Sequence, residues 1–158
     1  MKAPRNNGVT ASYLVLRRGG DVLLMRRANT GYEDGNYQVP AGHIDAGEVP
    51  TDAIIREAKE EIGVVVRSED LKFVHTMFRT KHDPTGDRID YYFEATTWEG
   101  EPHNTEPEKC DDVQWFSIHE LPENITYPNK VAFAHILNNS VFSELGEEEL
   151  RKAGHWKL

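Results

Sequence analysis

The chain has 158 residues, with 18 Lys and Arg against 27 Asp and Glu and a formal net charge of -9. That length suits one domain, residues 1–158, burying roughly two-thirds of the surface its unfolded form exposes, so folding needs neither disulfide nor structural metal; the acidic balance speaks against tight, sequence-independent binding to a nucleic acid polymer, which draws on clustered cations. The single Cys110 excludes an internal disulfide and suits a reducing cytoplasm, and the lack of a long apolar run excludes a spanning helix, so no membrane partner is expected.

Residues 1–8 read as an N-terminal arm, because "MKAPRNNGVTAS" carries Lys2 and Arg5 without the apolar stretch of a signal peptide. "TASYLVL" alternates and "VLLMRR" opens as an apolar run; with "RRGGD" between them they predict a hairpin. "YQV" is a short strand stopped by Pro40, and Gly42 and Gly47 bracket a loop leading to a helix. Pro50 and Thr51 mark its start, with Thr51 as N-cap, and Gly63 stops it, which gives a helix from Asp52 to Ile62.

"LKFVHTMFR" and "RIDYYFEATTW" are strands around the turn chemistry of "TKHDPTGD" and predict a second hairpin, in which Tyr91, Tyr92 and Phe93 are packing residues. "VQWFSI" is a further strand, "HELPEN" a turn, and "PNKVAFAHILNN" a second amphipathic helix. Residues 141–158 read as a charged helix or tail. Strands and helices mix irregularly, so the fold class is α+β or mixed α/β, with helices packed on a sheet.

The first helix crowds Glu57, Glu60 and Glu61 into about one turn, where like charges repel by a few tenths of a kcal/mol per pair. At 100° per residue, Glu61 lies about 40° and Glu60 about -60° from Glu57, while Ala58, Ile62 and Ile55 fall on the neighbouring arc. Arg56, four residues before Glu60, can hold a carboxylate by paired hydrogen bonds, and Glu48 in the loop can fold back toward the same face. Oxygens converging from helix and loop suit a hard divalent cation, Mg²⁺ above all. A solvated acidic face is the alternative.

The run Gly42, five residues, Glu48, seven residues, Arg56-Glu57, Ala58, Lys59, Glu60-Glu61, Ile62, Gly63, Val64 resembles the 23-residue box of the Nudix hydrolases, G-x5-E-x7-R-E-U-x-E-E-x-G-U. Every fixed residue is present, and Ala58 stands where the pattern asks for a bulkier aliphatic side chain. The resemblance covers most of residues 9 to 139. It implies an α/β/α sandwich with a mixed central sheet and hydrolysis of a nucleotide substrate, a small molecule, with Mg²⁺ or Mn²⁺ and an attacking water. By that resemblance Glu57, Glu60 and Glu61 ligate metal with a carbonyl at Ala41 or Gly42, while Arg56 pairs with Glu48 and Glu60. The general base is then Glu57 or Glu60, with Glu106, Glu108, Asp111 and Asp112 as outside candidates.

Arg26 and Arg27 could meet substrate phosphates. "ITYPNKVAF" is similar to the Pro-Asn or Pro-Asp pair of MutT-type members, which gives Asn129 a base-reading role facing Gln38; helix capping is its alternative. The scattered histidines, His43 among them, carry no zinc spacing, and Cys110 no thiolate-activating pattern. The reading is a MutT-type hydrolase, monomer or homodimer, splitting a nucleoside triphosphate to monophosphate and pyrophosphate. The alternatives are hydrolysis of a nucleoside diphosphate derivative, such as ADP-ribose or a nucleotide sugar, and a non-catalytic nucleotide sensor.

Overall fold

The computed structural model describes residues 1–2, 5, 7–80 and 86–154. Along the chain these form β1 (Val9–Arg18), β2 (Asp21–Arg27), β3 (Tyr37–Gln38), β4 (Ala41–His43), α1 (Pro50–Ile62), β5 (Lys72–Arg79), β6 (Arg88–Ala95), β7 (Cys110–Ser117), α2 (Tyr127–Leu137), β8 (Phe142–Leu145) and α3 (Glu147–Lys152). The strands make one mixed sheet in the order β3-β2-β1-β6-β5-β8, with β4 added to β1 and β7 to β2. β1 runs parallel to β6 and β5 parallel to β8; the other pairings are antiparallel.

The period-2 alternation of the central strands explains the layers. Tyr13 and Val15 of β1, Val22 and Leu24 of β2 and Tyr92 of β6 face a core closed by Ala132 and Phe133 of α2 and Leu150 of α3. Their neighbours Leu14, Leu16, Leu23, Met25, Phe93 and Ala95 face the other side, against Ile54, Ala58 and Ile62 of α1. Successive side chains on a strand point to opposite faces, so strands apolar at every position need a cover on both. The result is the expected α/β/α sandwich.

Several boundaries differ from the sequence reading. β1 and β2 pair only at Arg17↔Val22 and Arg18↔Asp21, because β1 gives its edges to β6 and β4 while β2 pairs along its whole length with β7. The second hairpin, β5 with β6, is paired from end to end; residues 81–85 of its turn lie outside the described residues. The N-cap of α1 is Val49 instead of Thr51, with no side-chain capping bond. Pro50 opens the helix because its fixed φ suits the first turn, where its missing N–H costs nothing. At the other end Gly63 adopts φ 69°, and the N–H groups of Gly63 and Val64 close on the carbonyls of Lys59 and Ala58. The stretch read as a tail supplies β8 and α3.

Candidate active site

β4 brings the backbone of Ala41 and Gly42 against α1. A Cβ built on Gly42 would lie 1.9 Å from Glu57 Oε1 and 2.0 Å from its Cδ, so glycine here leaves the space the carboxylate fills. One residue earlier, the Ala41 N–H donates to Glu61 Oε2 at 3.1 Å. A short strand thus seats two glutamates of the helix by a missing side chain and an exposed amide.

Arg56 ties the rest together. Its Nε and Nη2 donate to the two oxygens of Glu48 at 2.9 and 3.0 Å, and Nη2 also reaches the His43 carbonyl at 3.1 Å. Its Nη1 reaches Glu57 Oε1 at 2.8 Å and Glu60 Oε2 at 3.3 Å. A planar fork of five donors suits this distribution where the point charge of a lysine would not. The forked bond from Arg56, followed by the Asp45 N–H, holds the Glu48 carboxyl down at about 2.

The helix carboxylates behave differently. Burial pushes Glu57 upward against the pull of Arg56. Burial, reinforced by the charge of Glu57, drives Glu61 well above the carboxylate range. Glu60 is half exposed, at 51%. With Glu106 these three line a compartment of about 570 Å³, shared with Met25, Arg26, Asn29, Gly42 and Lys109.

Carboxylates gathered on one wall, two of them, Glu57 and Glu61, raised by burial and neighbouring charge, are a donor set suited to a hard divalent cation. Among the described residues no three acidic, His or Cys side chains are already gathered as a metal centre. The hydrogen bonds explain the spread: Arg56 draws Glu57 and Glu60 to one side, and Ala41 holds Glu61 on the other.

Of the four outside candidates, Glu106, Glu108, Asp111 and Asp112, only Glu106 lines this compartment. Asp111 pairs with Arg26 at 2.6 Å, Asp112 accepts from the hydroxyl of Tyr37, and Glu108 is exposed. Thr105 Oγ1 donates to the Glu60 carbonyl, docking this loop on α1.

Arg27, Gln38, Ala41, Gly42 and His43 also line a second compartment of about 540 Å³, completed by Ala11, Tyr13, Gly31, Tyr32, Arg79, Arg88, Thr126, Pro128 and Asn129. Asn129 is 1% exposed. Its Oδ1 accepts from the Val39 N–H at 2.8 Å and its Nδ2 donates to the Tyr92 hydroxyl at 3.2 Å, so its amide ties α2 to the end of β3. It does not cap α2, whose N-cap is Thr126. Tyr32, Arg79 and Arg88 were not foreseen as site residues. They come from a loop and two strands that only the folded sheet brings together. Cys110 is buried, and its thiol is pushed up by that burial.

A family model described as NUDIX domain matches residues 6–136. The NAD-capped RNA hydrolase NudC of Pseudomonas fluorescens is 32% identical over 120 residues, 72% of this chain and 38% of that protein. An ADP-ribose pyrophosphatase of Methanocaldococcus jannaschii is 27% identical over 121 residues, 77% of this chain and 64% of that protein. The chain therefore spans well under half the length of the NudC relatives it matches. The crystal structure of a MutT NUDIX hydrolase from Burkholderia pseudomallei superposes with a TM-score of 0.75 at 22% identity, covering 82% of this chain and 98% of that one. No helix among the described residues is long and apolar enough to cross a membrane.

Proposed function

Since the chain belongs to the NUDIX domain family, we propose that it is a divalent-metal-dependent hydrolase of the pyrophosphate bond of a nucleotide. The observation that carries this reading is the compartment in which Glu57, Glu60, Glu61 and Glu106 face the backbone of β4. Glu57, Glu60 and Glu61, with the Gly42 carbonyl, would hold a Mg²⁺ or Mn²⁺ ion. Such an ion would neutralise phosphate oxygens and lower the pKa of a bound water.

The chain's own residues do the remainder. Arg56, fixed through Glu48, aims Glu57 and Glu60 by the two bonds of its Nη1. Arg27, on the wall common to both compartments, and Arg26, beside it, meet phosphate oxygens. Glu60, the exposed member of the helix set, takes the proton of the attacking water. Glu106, facing it from the loop before β7, is the other candidate for that role. Phosphoryl transfer asks a protein chiefly for positioning and charge, and these residues supply both.

The substrate we favour is a nucleoside diphosphate joined to a further group. The second compartment rivals the acidic one in size and adjoins it through a shared wall, so there is room for a moiety beyond the pyrophosphate. A nucleoside triphosphate is the second reading, favoured by Gln38, which stands on that same wall; the Asn129 amide already serves Val39 and Tyr92. Mass spectrometry of products from ADP-ribose, NAD⁺, a nucleotide sugar and the common and 8-oxidised nucleoside triphosphates separates the two. Activity should vanish in excess chelator and return with Mg²⁺ or Mn²⁺. Full turnover without metal would refute the reading.

A further inference from the structure

The described residues lining the second compartment include three arginines, Arg27, Arg79 and Arg88, and no Asp or Glu. Arginine is rarely buried unless paired, yet Arg79 is 3% exposed. Its Nε donates to Asp90 Oδ2 at 2.7 Å and its Nη2 to the Tyr13 hydroxyl at 3.2 Å. Arg88, whose side chain is 12% exposed, has its Nε 3.8 Å from Asp90 Oδ1. The acid stands behind the wall and the cations form it. Tyr13 and Tyr32 add hydroxyls, and Arg27 is held by the Tyr32 carbonyl at 2.6 Å and Thr30 Oγ1 at 3.0 Å. An uncharged base or sugar has no use for three cations in one half-enclosed cavity, whereas a phosphate dianion does.

We propose that this compartment binds a phosphate monoester carried by the substrate at a position remote from the scissile pyrophosphate. Arg88 is its contact residue, Arg79, bonded to Asp90 and Tyr13, supports it from within the wall, and Arg27 marks the junction with the acidic compartment. The proposal rests on the pyrophosphohydrolase reading above and deepens it to substrates with an additional phosphate on a sugar hydroxyl.

The matched pair NADP⁺ and NAD⁺, which differ by one ribose phosphate, tests it. Wild type should favour NADP⁺ by about tenfold or more in kcat/KM, and Arg88→Gln should bring the ratio near one. Binding is read separately by calorimetry with 2′,5′-ADP against 5′-AMP, where the doubly phosphorylated nucleotide should bind about tenfold tighter. Equal affinities in wild type overturn the proposal, as does a preference that survives intact in folded Arg88→Gln. If Arg88→Gln does not fold, the wild-type binding pair decides alone. If neither dinucleotide nor any nucleotide of the product panel is hydrolysed but 2′,5′-ADP keeps its Arg88-dependent advantage, the hydrolase reading falls and the subsite stands.

Discussion

Replacing Gly42 by alanine tests the seat of Glu57 with a single methyl group. The new Cβ would meet Glu57 Oε1 at 1.9 Å, where ordinary contact begins near 3.4 Å, so the carboxylate must retreat by about 1.5 Å, the difference of the two. The atoms in the way are the far end of a flexible side chain. Gly42 does not occupy the left-handed region, so alanine fits its backbone without strain, and the loss of glycine's freedom in the unfolded chain favours the variant by about 0.4–1 kcal/mol. Stability should therefore stay within about 1 kcal/mol, a few degrees in Tm. Activity should not survive so well: misplacing a reacting group by about 1 Å can cost roughly 100-fold, so kcat on the best substrate should fall by about that factor. Affinity for Mn²⁺, followed by paramagnetic resonance, should weaken with it. Unchanged kcat would refute the claim that Glu57 must sit against β4. A fall in Tm beyond about 10 °C would show that the backbone yields before the carboxylate does.

Glu61→Gln should abolish turnover while the metal-free protein stays folded, because the amide oxygen can still accept from Ala41. Burial raises Glu61 above the ordinary value of 4.5 that it keeps in the unfolded chain; the stability linked to this proton is full below that pH and is lost as pH rises through the raised value. The Tm of metal-free wild type should therefore fall relative to the variant as pH climbs from 4.5, and parallel curves would count against it. Arg56→Lys loses the fork to Glu48 and should lower metal affinity or kcat by about 10- to 100-fold; wild-type kinetics would make the hub dispensable. Asn129→Leu leaves the Val39 N–H buried without its partner, at about 1–3 kcal/mol, and should depress Tm by roughly 3 to 10 °C. It should lower kcat/KM alike on every nucleotide, and a selective change among bases would restore the base-reading role.

The acidic half of the site was legible because its chemistry is local: Gly42, Glu48 and Arg56 to Gly63 lie within one loop and helix, and their spacing survives folding intact. The second compartment was legible only in Arg27, Gln38 and Asn129, since Arg79, Arg88 and Tyr13 meet only through the parallel pairing of β1 with β6 and the hairpin of β6 with β5. β8 was hidden by reversed polarity. Its Phe142 is exposed while Ser143 is buried, because the Ser143 hydroxyl bonds the ring of the equally buried His75 at 2.7 Å. Hydrophobic patterning places such a strand on the wrong face. Capping, the alternative role for Asn129, fails because α2 starts two residues earlier, at Tyr127 after its N-cap Thr126, and the Asn129 amide turns instead to β3's exit and to β6.

The homology boundary and the folding boundary of this chain do not coincide. The family match stops at residue 136, six residues before β8 begins to pair with β5 at Thr76↔Phe142. A shortened protein ending at the match would keep Glu57, Glu60, Glu61 and Glu106 and the whole box. It would also bare the outer rim of β5, opening hydrogen-bonding groups that the Val141 and Leu145 carbonyls now engage through Thr76 and Thr80, and it would uncover core from which Leu145 and Leu150 had been removed. An open strand rim of that kind recruits other chains. Such a truncation would fail by self-association, and its inactivity would say nothing about the chemistry of the site it retains.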